Sequence, residues 1–148
     1  MSLILSDHSS QQGLAFVRGG DTELVLRQGP IPLFLHGVIE YAAGIVFIAA
    51  PFVLGFDSGA AKAVSIVIGV IVLGVAAGTD SPTGLSRSIP IKGHVALDFA
   101  LAAILIAAPF LFGFSDESTP TAFFVVLGIV HLLLTIATRF LPRVEAAV

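Results

Sequence analysis

The chain has 148 residues, 56% of them hydrophobic and only 11% charged, with seven basic and ten acidic side chains and no cysteine. A soluble domain carries about 25% charged residues, so an ordinary water-soluble fold is excluded, and the lack of a basic excess excludes a nucleic-acid partner. Without cysteine there is no disulfide framework, thiolate nucleophile or thiolate metal ligand, and a mean hydropathy of +1.02 makes the lipid bilayer the expected partner.

Residues 1–30 form a polar N-terminal segment. Ser6 to Gln12 reads as a tail lacking the basic-then-apolar pattern of a cleaved signal peptide. Two short β-prone runs, Leu14 to Arg18 and Thr22 to Arg27, flank Gly19-Gly20-Asp21, the pattern of a β-hairpin, or else of a segment lying on a membrane surface.

Four apolar segments follow, at 33–55, 61–79, 92–113 and 120–139. Each is close to the ~20 residues a helix needs to cross the hydrocarbon core. Backbone groups in lipid must be satisfied within the segment, so all four are expected to be helices. The expected fold class is all-α: a polytopic membrane protein with four transmembrane helices.

The chain repeats itself. Residues 31–56 align without a gap on residues 89–114, with eleven of twenty-six positions identical, and the next apolar segments align once one residue is inserted in the preceding loop. A fixed-period duplication implies a structural unit used twice. Here the units are helical hairpins at 31–85 and 86–142, with a short tail at 143–148. Each unit crosses twice, so the two are expected to be parallel repeats related by an axis along the membrane normal.

Each first helix ends on the same signature: Ala50-Pro51-Phe52 with Gly55 and Phe56, then Ala108-Pro109-Phe110 with Gly113 and Phe114. Over residues 31 to about 140 this pattern resembles the SPW-repeat family, with Ala-Pro-Phe in place of Ser-Pro-Trp in both copies. The resemblance implies a small bacterial integral membrane protein and adds no chemistry of its own. In physical terms, Pro51 and Pro109 release the carbonyls of Phe47 and Leu105, which predicts a bend or an end of the helix there. Gly55 and Gly113 are placed to finish it in the left-handed conformation.

Orientation follows from the basic residues. Arg18, Arg27, Arg87, Lys92, Arg139 and Arg143 fall on one side, and Lys62 on the other with Asp57, Asp116 and Glu117. The positive-inside rule then places both termini and the middle loop in the cytoplasm, with the protein in the cell (inner) membrane.

Inside the first and third helices, beyond Lys92, the side chains able to carry charge are His36 with Glu40 and His94 with Asp98. A spacing of four puts each imidazole above its carboxylate on one face. Such groups in lipid face the bundle interior and pair, so the four are expected to converge, with His131 of the fourth helix at the same depth. Several readings stand together: polar packing, snorkelling of the histidines, a divalent metal site, or a proton or small-solute path. Bis-histidine haem ligation by His36 and His94 has only the helical architecture in its favour. Small-residue faces, Gly74 to Gly78 and Ala96, Ala100, Ala103 and Ala107, suit helix packing within the bundle or a homo-oligomer. No nucleophile elbow, phosphate loop or metalloprotease motif occurs. The expected function is therefore a non-enzymatic membrane protein with a structural or regulatory role, the alternative being metal binding or transport through the His/carboxylate cluster.

Overall fold

The structure is a computed structural model that describes Leu26 and residues 28–141. A two-residue strand β1 (Ile31–Pro32) leads into helix α1 (Leu33–Val53), followed by α2 (Gly59–Gly78), α3 (Ile91–Leu111), α4 (Ser118–Ala137) and a two-residue strand β2 (Thr138–Arg139). Apart from Leu26, the hairpin expected around Gly19-Gly20-Asp21 lies outside the described residues, as does the tail at 143–148. The protein is all-helical in its apolar part, and all four helices are long and apolar enough to cross a membrane.

Proline explains where the first helix of each pair starts. Pro32 and Pro90 occupy the N-cap positions with φ of −70° and −66°, where a missing N–H removes no helical bond. Ser58 starts α2 differently, its side chain accepting from the Ala61 N–H as a serine cap does.

Pro51 and Pro109 do not end their helices at Phe47 and Leu105. Both helices run on to Val53 and Leu111. A proline in the last turn removes a single helical bond, and the freed carbonyl of Phe47 accepts the Ser65 hydroxyl of α2 at 2.5 Å. The ends come where Gly55 (φ +63°) and Gly113 (φ +69°) take the left-handed conformation, and the N–H groups of Phe56 and Phe114 return to the carbonyls of Pro51 and Pro109. Of the signature aromatics, Phe56 and Phe114 are 2% exposed and fill the core, whereas Phe52 (71%) and Phe110 (66%) point outward.

Packing is tight within each helical pair. A Cβ on Gly69 of α2 would lie 2.7 Å from the Gly44 carbonyl oxygen of α1, and one on Gly128 of α4 would lie 2.7 Å from Ile106 of α3. Gly44 therefore serves the contact between α1 and α2, not an approach of α1 to α3. Gly74 has nothing within 4 Å of an added Cβ, and Ala96, Ala100 and Ala103 are exposed, so these small residues face outward from the bundle.

Between the pairs, α1 meets α4 and α2 meets α3 over short stretches only. Near one end, Phe47 and Phe56 pack on Phe123, with ring centroids 5.2 and 5.6 Å apart. At the other end β1 pairs in parallel with β2, Ile31 opposite Thr138, and an isolated parallel bridge joins Thr79 to Ile89. The start of α1 thus sits beside the end of α4, and the start of α3 beside the end of α2. Arg87, Lys92 and Arg139 belong to this same end of the bundle.

Candidate metal centre between the hairpins

His36 and His94 are each the fourth residue of their helix, and Glu40 and Asp98 lie one turn further on the same faces. All four point inward, with exposures of 0% for His36, 4% for Glu40, 1% for His94 and 2% for Asp98. They meet. One ligand atom from each lies within 4.8 Å of the other three.

The Nε2 of His36 is 3.7 Å from Glu40 Oε1 and 3.3 Å from Asp98 Oδ2. The Nε2 of His94 is 3.5 Å from Glu40 Oε1 and 3.4 Å from Asp98 Oδ2. The two Nε2 atoms are 3.4 Å apart, and the rings meet edge to face with centroids at 5.5 Å. Each imidazole therefore addresses both carboxylates, its own and the one on the other helix.

The opposite nitrogen of each ring fixes its tautomer. His36 Nδ1 lies 2.8 Å from the Thr138 hydroxyl, and that hydroxyl donates to the Leu134 carbonyl at 2.6 Å. His94 Nδ1 lies 2.9 Å from the Thr79 hydroxyl, which donates to the Val75 carbonyl at 2.6 Å. A carbonyl can only accept, so each threonine hydrogen is committed to its own helix and the ring must be the donor at Nδ1. Both Nε2 atoms then turn lone pairs toward the centre when the rings are neutral. Two lone pairs at 3.4 Å repel unless a positive charge sits between them, and two carboxylates in a dry interior make the same demand.

His131 joins the edge of the cluster, as its depth in the sequence implies, but does not belong to the central four. Its Nε2 is 3.7 Å from Asp98 Oδ1 and, alone among the buried side-chain polar atoms described, has no hydrogen-bond partner. Thr135 donates to the His131 carbonyl at 3.0 Å, with Asp98 Oδ2 more distant at 3.5 Å. Phe140 covers the centre from the strand end, its ring centroid 5.2 Å from that of His36 and 6.1 Å from that of His94.

Sequence reasoning places the four central residues and His131 but misses Thr79, Thr135, Thr138 and Phe140. One signal was present. Thr138 stands 59 residues after Thr79, the offset by which the second helices align, so the threonines are duplicated along with the histidines. The outward repeat-signature residues Phe52 and Phe110 take no part in the site, and Pro51, Gly55, Pro109 and Gly113 act only at the far helix ends.

Searches of curated proteins and of solved structures gave no match. The family model described as the SPW repeat domain matches residues 34–138, a span holding every one of the converging ionisable side chains. Four membrane-length helices and this match over most of the chain together identify a small membrane protein that belongs to the SPW repeat domain family.

Proposed function

We propose that this protein is a non-enzymatic divalent-metal protein of the cell membrane, in which one ion, zinc or a metal of similar preference, joins two helical hairpins at His36, Glu40, His94 and Asp98. The observation that carries the reading is the spacing of the donor atoms. Zinc bonds to imidazole nitrogen and carboxylate oxygen are about 2.0–2.2 Å, which makes the edges of a tetrahedron about 3.3–3.6 Å. The five separations that involve a histidine run from 3.3 to 3.7 Å, and the sixth, between the two carboxylates, is within 4.8 Å. Direct charge-assisted hydrogen bonds, which a proton relay through these residues requires, are about 2.7–2.9 Å. This spacing supports a shared ion over direct bonds between the side chains.

Neutral imidazoles, two carboxylates and one divalent ion sum to zero charge, which suits a site enclosed by apolar helices. Four protein donors leave no open position for a substrate, the arrangement of a structural ion as opposed to a catalytic one. The threonine contacts at Nδ1 supply the outer hydrogen bonds that orient ligating histidines. The helices of the two pairs meet over short stretches only, so an ion adds a direct link between α1 and α3. The basic residues at the same end support a cytoplasmic position for the centre and for both termini, in the inner membrane.

The test is metal analysis of protein purified in lipid nanodiscs, followed by cobalt(II) substitution. One ion per chain is expected, with the intense visible absorption of tetrahedral cobalt, and both should disappear in the His36→Ala/His94→Ala protein. Metal-free protein that takes up no zinc or cobalt, or uptake that survives the double substitution, overturns the proposal.

A further inference from the structure

Two clefts flank the centre, and they correspond position by position under the duplication. The first, about 150 Å³, lies between α2 and α3 and includes Ile68, Val72 and Val75 facing Leu97, Leu101 and Ile104. The second, about 210 Å³, lies between α4 and α1, with Val72 of α2 and Leu101 and Leu105 of α3 at its back. It carries Leu127, His131 and Leu134, each 59 residues on, facing Ile39, Ala43 and Val46, each 58 residues back. Both have exposed rims, Ile71 and Ile104 in one and Val46 and Val130 in the other, and so open toward the surrounding lipid. Both reach Glu40 at their inner end.

Their differences are concentrated in one place. Val72 borders both clefts, and its duplicate, His131, belongs to the second alone, nine-tenths buried and with no hydrogen-bond partner at Nε2. Leu101 likewise borders both, and its duplicate, Ala43, lines only the second, which is the larger of the two. One turn beyond Val72 stands Ala76, and one turn beyond His131 stands Thr135. His131 Nε2 stands 3.7 Å from Asp98, too far for a hydrogen bond, and a buried ring nitrogen left without one is destabilising.

We infer that the α1/α4 cleft binds a small lipid-soluble alcohol or phenol, whose hydroxyl lies between His131 and the carboxylate side of the cluster while its apolar body fills the space beside Ala43. A hydroxyl is the head group that fits, because it can donate to a carboxylate and accept from an imidazole N–H at once. A ketone or ester oxygen accepts only and leaves the carboxylate unserved. The cleft is smaller than the ~300 Å³ at the low end of drug-sized pockets, so the occupant is of one-ring size. The apolar walls and lipid-facing rims set the route of entry through the bilayer. The inference is independent of an ion at the four-residue centre.

The corresponding cleft is an internal control. Protein in phosphatidylcholine nanodiscs would be photolabelled with a 4-alkylphenol carrying a diazirine in its chain, and with the matched alkylbenzene, and the adducts mapped by mass spectrometry. The phenol should label 127–134 roughly three- to ten-fold more than 68–75, the worth of one net hydrogen bond. The excess should be competed by 4-butylphenol and not by butylbenzene. His131→Val should bring the second cleft down to the level of the first while labelling of 68–75 stays unchanged, which shows that the variant is folded. Equal labelling of the two clefts overturns the inference. So does an excess that the alkylbenzene shares, which marks a lipid acyl chain as the occupant, and so does an excess unchanged by His131→Val, which leaves His131 as a neighbour of Asp98 alone.

Discussion

His36 and Thr138 are 102 residues apart, yet the ring nitrogen Nδ1 lies 2.8 Å from the threonine oxygen. His94 stands in the same relation to Thr79 at 2.9 Å. Each histidine is thus oriented by the second helix of the other hairpin, and both rings present Nε2 to the centre for the same reason. Replacing Thr79 or Thr138 with valine keeps the shape but removes the acceptor, so each change should weaken metal binding about 10–100-fold, as loss of an outer-shell partner does. Thr79→Ser and Thr138→Ser should restore it. Competition titration against a chelator of known affinity measures both effects.

Ion binding should be coupled to proton release. Without an ion the two carboxylates of the centre require two protons to reach neutrality in a dry interior, shared among Glu40, Asp98, His36 and His94, with His131 adjacent to Asp98. A divalent ion replaces both. Affinity should therefore rise with pH, the logarithm of the apparent constant gaining about two per pH unit wherever both protons are held, since ligands must deprotonate to bind. Calorimetry in buffers of different ionisation enthalpy counts the protons, and a count of zero would refute the charge balance.

Removing one partner from the cluster should be worse than removing two. Glu40→Ala leaves His36 and His94 facing a single carboxylate and should destabilise the protein by about 3–5 kcal/mol, the scale for stranding a buried charge partner. Glu40→Ala combined with His94→Ala should cost less than Glu40→Ala alone. Chemical unfolding in mixed micelles provides the comparison.

The glycines separate internal packing from surface. Gly69→Ala drives a methyl group into the Gly44 carbonyl and Ile48, both 2.7 Å away, and should destabilise by about 1–3 kcal/mol as overpacking does. Gly74→Ala meets nothing and should be neutral or stabilising by up to about 1 kcal/mol through helix propensity. Thermal melts of the two variants should move in opposite directions or differ by that margin.

For topology, cysteine placed at Ser58 should label from outside sealed cells, and cysteine at Ser86 only after the membrane is opened. Labelling of both from one side refutes the cytoplasmic placement of the centre.

Much of this was legible in the residues. Apolar length gave four helices within two residues of their ends, because nothing in lipid competes with internal backbone bonding. The duplication gave His36, Glu40, His94 and Asp98, because ionisable groups are conspicuous in a chain so poor in charge. What stayed hidden depends on tertiary neighbours. Ser65 and Phe47 are eighteen residues apart, and nothing local shows that the serine would take the carbonyl Pro51 releases. Thr79 and Thr138 read as ordinary helix ends until the histidine of the other pair is placed beside them. Gly44 and Gly69 likewise show their role as each other's contact surface only once α1 and α2 are packed.

The crossed arrangement of threonine and histidine has a genetic consequence. One hairpin alone holds a histidine and a threonine that do not meet, so half the chain has no half-site. Two identical hairpins, each encoded separately and assembled as a pair, would satisfy every crossed contact, but they would be bound to carry the same residue at 72 and at 131. In this chain the two copies differ, with valine at 72 and histidine at 131. The lone imidazole of α4 is therefore a feature that a pair of identical hairpins could not carry on one side without carrying it on the other.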